Sequence, residues 1–288
     1  MNQSKYKYIV THHGHAHRDE FIAICLLLSE LKQELTINRA NPTEEELRDP
    51  EVIVVDVGGE MSVGLSNLDH HQLPREAEAC CSITQVLTWL GYDLSYVREV
   101  WPWLEYAEYI DSKGPAATCK RFGIPAENLI RGMSPVESAL IHLFQEQKSI
   151  TPDNSLWKTM KTIGDSSMGY LHEVTRRLVQ LKDNAKFETL GNVKIMVNDH
   201  IAPSEHPALG VELFLRREKL EGEIDVVVSQ DEREPGLSLF RRNDSKKIDF
   251  SKIEKEPGVR FAHKIGFVAK TLPDVNWREL VVKATVNS

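Results

Sequence analysis

The sequence predicts an α/β protein with a mostly parallel sheet in an N-terminal domain, a helical connector, and a smaller C-terminal α+β domain. Three observations predict it. Short apolar runs near the start, Tyr8-Ile9-Val10 and Val52-Ile53-Val54-Val55, end in turns dense in histidine and aspartate. The middle of the chain carries helical patterns almost throughout, and the last third alternates short strands with short helices. The 288 residues suit two domains of ordinary size. The expected divisions are a catalytic domain over 1–115, a helical connector over 116–187 and a substrate-binding domain over 188–288.

The elements follow in order. Residues 6–10 read as a first strand and 20–34 as a helix, with Leu26, Leu27, Leu28 and Leu31 near one face. Leu35 to Arg39 is a short second strand, and Asn41-Pro42-Thr43-Glu44 a turn opening a helix. Val52 to Val55 is an unbroken β-branched run, suited to a parallel strand buried on both faces. Helices are expected over 82–90 and 94–110, the second rich in aromatic residues read as core. Ser134-Pro135-Val136-Glu137 is a capping-box pattern with proline at the first helical position, and a further helix runs from about Met168 to Asn184. In the last third, Val193–Val197, Ile224–Val228 and Leu237–Arg241 read as strands, the last two as a hairpin. Pro207 to Leu220 reads as a helix and Asp249 to Ile253 as a short helical start.

Composition narrows the function classes. Hydrophobic residues make up 41% and charged residues 27%, which is globular. The longest apolar run, Phe21 to Leu28, is far short of the roughly 18 residues that span a bilayer. With no signal-type segment at the start, a cytoplasmic protein without membrane contact is expected. The four cysteines show no metal-type pairing, and Cys25 reads as core. A net charge of −8 offers no broad field for a polyanion, so a phosphate ligand would depend on bound cations and a few local arginines or lysines.

The chemistry gathers at strand ends. The turn His12-His13-Gly14-His15-Ala16-His17-Arg18-Asp19-Glu20 holds four histidines and two aspartate or glutamate carboxylates in nine positions. Asp56 closes the second apolar run, Asp69-His70-His71 forms a third cluster, and Asp111 stands alone. Neighbouring parallel strands would bring these to one edge. Mixed imidazole and carboxylate ligands suit manganese, iron, cobalt or zinc better than magnesium or calcium. The set His12 or His13, His17, Asp19, Asp56, His70, His71 and Asp111 is too large for one ion. Two ions roughly 3.5–4 Å apart would use it, with Asp56 as the bridge. His15, His142, His172, His200 and His206 are read as surface or core residues, and Glu20 as the opening of the helix.

These motifs resemble the DHH phosphoesterase superfamily, and most nearly its exonuclease branch named for melanocyte proliferating gene one. The resemblance rests on Thr11-His12-x-Gly14-x-x-His17-x-Asp19-Glu20, Val54-Val55-Asp56-Val57-Gly58-Gly59, Asp69-His70-His71-Gln72 and the late stretch Phe261 to Phe267. It implies a DHH-type N-terminal domain followed by a DHH-associated domain, and two divalent ions, most often manganese. One ion would take the first-turn histidine, His17 and Asp56; the other would take Asp19, Asp56, His70 and Asp111. His71 would sit behind or beside the metals, polarising the phosphate or acting in proton transfer, and the catalytic set is His71, His70 and Asp69. In the last domain Arg241, Arg242 and His263 would grip the substrate. The implied activity is hydrolysis of phosphodiester bonds in short RNA or DNA, most simply exonucleolytic cleavage of RNA. Two alternatives stay open: a small substrate such as a dinucleotide or pyrophosphate, or a metal-binding regulatory protein without activity. The sequence leaves a homodimer open.

Overall fold

The computed structural model describes residues 5–125, 134–198, 206 and 208–286. The chain forms two compact units, Met1–Leu171 and His172–Ser288, dividing inside one long helix, whereas the sequence reading places a boundary near 188.

The first unit is built on six strands: β1 (Tyr8–Thr11), β2 (Thr36–Arg39), β3 (Val52–Val55), β4 (Met61–Ser62), β5 (Asn67–Leu68) and β6 (Ser149–Ile150), in the order β4-β5-β3-β1-β2-β6. The pairs β1–β2, β1–β3 and β3–β5 are parallel. The edge pairs β4–β5 and β2–β6 are antiparallel. All four residues of β3 are buried, as its β-branched run requires.

The helices of this unit are α1 (Arg18–Glu30), α2 (Glu44–Arg48), α3 (Ser82–Trp89), α4 (Leu94–Val100), α5 (Trp103–Phe122) and α6 (Pro135–Gln145). The helix expected over 94–110 is two. It breaks around Trp101 and Pro102, and α5 then runs past Asp111 with a kink at Gly114, whose φ is +81°. The Ser134 side chain caps α6 by accepting from the N–H groups of Val136 and Glu137, but Glu137 reaches to Arg18 instead of closing a capping box.

Helix α7 (Ser155–Asn184) begins well before the expected Met168 and continues into the second unit. That unit contains β7 (Lys186–Leu190), β8 (Val193–Asn198), β9 (Val226–Gln230), β10 (Leu237–Arg241), β11 (Val259–Ala262) and β12 (Val268–Thr271), with α8 (Val211–Arg217) and α9 (Trp277–Ala284). Its sheet order is β11-β12-β10-β9-β8-β7, and only β8–β9 is parallel. The expected hairpin of β9 and β10 is antiparallel. In its core, Ile195, Val226, Val228 and Leu239 from the sheet meet Phe250, Leu280 and Val281. Pro207, expected to open a helix, and His200 lie outside the described residues.

The expected fold class is thus corrected. Both sheets are mixed and the helices are interspersed with the strands, in place of a mostly parallel sheet, a helical connector and an α+β domain. The physical reason lies at the edges. Strands β4 and β6 have two residues each, too short to carry a hydrophobic period, yet they close the first sheet with antiparallel pairs. No helix among the described residues is long and apolar enough to cross a membrane.

Helix α7 crosses α1 at a glycine. A Cβ on Gly164 would stand 1.9 Å from the Cys25 carbonyl oxygen, whereas one on Gly169 would meet nothing within 4 Å. Gly164→Ala is expected to destabilise the protein by about 1–3 kcal/mol through overpacking. Gly169→Ala should instead stabilise it by roughly 0.5–1 kcal/mol through helix propensity. Urea denaturation of both variants checks this, and an unchanged midpoint for Gly164→Ala would contradict the close crossing.

Candidate metal centre

Register brings the site together. Thr11 pairs with Val55, and Val55 with Leu68, along parallel strands. The residues that follow, His12, Asp56 and Asp69-His70-His71, are therefore delivered to one edge of the sheet. Strand β1 lies between β2 and β3, so the connections on either side part here, at the switch point where open α/β sheets form a crevice. Helix α1 enters at the same edge with Asp19 in its first turn, and α5 supplies Asp111.

Asp56 sits at the centre. Its φ of +61° is left-handed, a conformation that aspartate tolerates better than most residues and that marks local strain. One carboxylate oxygen, Oδ2, is 3.4 Å from His12 Nε2. The other, Oδ1, accepts from the Ser82 hydroxyl at 2.6 Å and lies 3.2 Å from His70 Nε2. Burial alone would push this carboxyl up, but His12, His70 and Ser82 hold it well below the usual carboxylate range.

His70 Nε2 faces an excess of acceptors: Asp111 Oδ2 at 3.0 Å, Asp56 Oδ1 at 3.2 Å and Asp19 Oδ2 at 3.9 Å. Burial opposes its charge, yet Asp111 and Asp56 push the imidazole up to about 12. Asp19 is pushed up to about 7 by burial and then by the charges of Asp56 and Asp111, against a hydrogen bond from the Ser82 N–H. His12 shows the same pattern. Its Nδ1 donates to the His13 carbonyl at 2.9 Å, so Nε2 is the atom turned to Asp56 and to Glu20, 3.0 Å away. Those two carboxylates push it up to about 10.

A ring nitrogen carries one proton, and three carboxylates around it are more than that proton can satisfy. Asp111 Oδ2 makes no well-aligned hydrogen bond although it is buried. Such a set fits a divalent cation, which takes several oxygen and imidazole donors at once. Ligand atoms of His12, His17 and Asp56 lie within 4.8 Å of one another, as do those of Asp19, His70 and Asp111, and those of Asp56, His70 and His71. There are thus two distinct His/Asp clusters with the potential to bind divalent metal, joined through Asp56 and His70. This is consistent with a metal-dependent hydrolytic active site in general.

Asp69 is turned away from that set. Its Oδ1 accepts from the N–H groups of His70 and His71 and lies 2.7 Å from His71 Nδ1, while Oδ2 accepts from the Gly59 N–H at 2.6 Å. His71 is nearer to Asp69 than to Asp56, 3.8 Å away, so Asp69 fixes the ring with Nδ1–H as donor. The opposite edge of this half-exposed ring is left to the open side. A cleft of about 680 Å³ there is bordered by His71, His17, Asp19 and Asp111.

The remaining expected residues are placed as follows. His13 is exposed and contributes its carbonyl to His12, and exposed His15 packs edge-on against His17. In the second unit Arg242 is buried, its guanidinium paired with Glu212 and donating to the Glu221 carbonyl. Arg241 donates to the Ile248 carbonyl, and His263 packs against Phe267. Three residues escape sequence reasoning. Ser82 holds Asp56 and Asp19 together; Glu20 contacts His12 besides accepting from the His17 N–H; and buried Arg39 ties Glu20 to the Gly14 and Gln145 carbonyls. The only signal was Arg39 as a charge closing an apolar strand.

Ser82→Ala removes one hydroxyl that orients Asp56. Divalent-cation affinity is expected to fall about tenfold or more, the usual cost of losing an outer-shell partner. Titration calorimetry measures it, and an unchanged affinity would mean that Asp56 needs no such support.

A family model labelled MYG1_exonuc, described as an uncharacterised protein family (UPF0160), matches residues 8–82. The matched segment runs from the start of β1 to Ser82 and so includes every residue of the His/Asp clusters except Asp111. No curated protein matches the chain. The identification with the DHH phosphoesterase superfamily and its melanocyte proliferating gene one branch is corrected by this match. The family whose model fits is described as uncharacterised, and it supplies neither a DHH-type fold nor a nuclease class.

Proposed function

We propose that the protein is a two-metal hydrolase of short phosphate esters or phosphoanhydrides, with water as the nucleophile. The observation that supports this best is the division of Asp56, one oxygen toward His12 and the other toward His70. A carboxylate so placed suits a bridge between two cations. His12, His17 and Asp56 would hold one ion, and Asp19, Asp56, His70 and Asp111 the other, with manganese the best match to the mixed donors. When bound, such a pair supplies Lewis acidity, acidifying water and offsetting phosphoryl charge.

The protein's own groups have separate tasks. Ser82 and the Asp69 carboxylate keep the donors oriented, as bonds to fixed backbone do in a preorganised site. His71, with Nδ1–H committed to Asp69, leaves its other nitrogen to take a proton from the attacking water and pass it to the departing oxygen. The net charge of −8 offers no track for a long polyanion, which favours short substrates: an oligonucleotide fragment, a dinucleotide or pyrophosphate.

Purified protein reconstituted with manganese should bind about two ions per chain. Assays with oligonucleotides of graded length, dinucleotides and pyrophosphate should show turnover that rises as substrates shorten. Asp56→Ala and His70→Ala should each abolish turnover, a loss of at least about 10³-fold, with circular dichroism unchanged. Near-normal rates in either variant, or no metal after reconstitution, would overturn the reading.

A further inference from the structure

We propose that Arg18 binds a phosphate oxygen of the substrate in the cleft beside the metal centre, and that Glu137 holds it in place when the cleft is empty. This assignment rests on the phosphate-ester reading of the same centre.

Arg18 is the first residue of α1, between His17 and Asp19, and its side chain borders the cleft of about 680 Å³. Among the described residues that line this cleft it is the sole arginine or lysine; the other charged groups there are Asp19 and Asp111. A phosphate entering the cleft therefore has one permanent cation to meet. The guanidinium is only partly engaged. Nε is 2.6 Å from Glu137 Oε1, but the contact lacks hydrogen-bond alignment. Neither Nη group makes a hydrogen bond among the described residues, and the ion pair with Glu137 is closest at Nε. The guanidinium also lies over the Trp103 ring, 5.8 Å from its centroid, which limits where its plane can swing.

A planar fork whose terminal nitrogens make no hydrogen bond among the described residues matches the geometry of phosphate oxygens. Glu137 contributes in the opposite sense. It neutralises Arg18 in the empty cleft, and any phosphate must compete with it. With the side chain 38% exposed, the pair itself adds little stability, which leaves the arginine easy to recruit.

The test is calorimetric titration of inorganic phosphate into the manganese-loaded full chain, with manganese content measured for every variant. Arg18→Gln should weaken phosphate binding by about tenfold or more, the value of one charged hydrogen bond. Arg18→Lys should recover part of it, since the charge remains and the fork does not. Glu137→Gln should bind phosphate as tightly as the parent or tighter. Wild-type affinity in Arg18→Gln at unchanged manganese content would overturn the assignment. So would a loss in Glu137→Gln equal to that in Arg18→Gln, because it would make the pair a structural brace. The two readings fail separately. Phosphate binding that depends on Arg18, without turnover of any phosphate ester, removes the hydrolase and leaves the anion site. Turnover with an unmoved KM in Arg18→Gln removes the anion site and leaves the hydrolase.

Discussion

The first unit is governed by the need to keep several carboxylates out of water at one sheet edge. Asp19, Glu20, Asp56 and Asp69 are all buried, and Asp111 stands beside them. Carboxylates in such positions are costly unless hydrogen-bonded or paired, and the chain meets that cost unequally. Glu20 receives the His17 N–H, the Thr11 hydroxyl and Arg39. Asp69 receives the N–H groups of Gly59, His70 and His71. Asp19 has the Ser82 N–H, and Asp111 Oδ2 has no aligned donor. Satisfaction therefore separates the acids that build the frame from those that face the cluster. Asp19 is the one pushed up to about 7 by burial and its neighbours, which is the mark of charge still awaiting a partner.

The frame depends on register more than on any single contact. Side chains alternate along a strand, so a slip of one residue between β1 and β3 would send Asp56 to the other face and part it from His12. Four buried β-branched residues in β3 make that slip costly. The left-handed backbone at Asp56 then turns the carboxylate off the strand line, and the Ser82 hydroxyl at the start of α3 catches it. Strain at one residue is tolerated because the elements on either side of it are firmly packed.

This arrangement explains what was readable in the chain and what was not. Strand-end residues were legible because a β-branched run followed by an acid or imidazole is a local pattern: His12, Asp56 and the Asp69-His70-His71 turn all follow from it. Whether His12 or His13 joins the carboxylates was not, because that depends on a hydrogen bond from the His12 ring to the next carbonyl. Ser82 was missed for a related reason. A serine opening a helix ordinarily caps it, and only the tertiary position of α3 turns this one toward Asp56. The early part of α7 was hidden by Gly164, which weakens helix propensity, although that glycine is there because Cys25 comes so close. Two-residue strands such as β4 and β6 leave no period to read, and they are what makes the first sheet mixed.

Charge also sets the order of binding on the proposed reading. Without cations, a phosphate in the cleft faces Asp19 and Asp111 with a single arginine to offset them, and that arginine is shared with Glu137. With two divalent ions among the same carboxylates, the local balance changes sign. Cation and phosphate affinities are then linked, each raising the other by the same factor. On that reading a centre of this kind would need no basic surface to find its ligand, and an acidic chain of net charge −8 could still select an anion. Such selectivity would be confined to the reach of the cluster and of Arg18, and so would act on one phosphate group and its immediate neighbours, and not on the length of a strand.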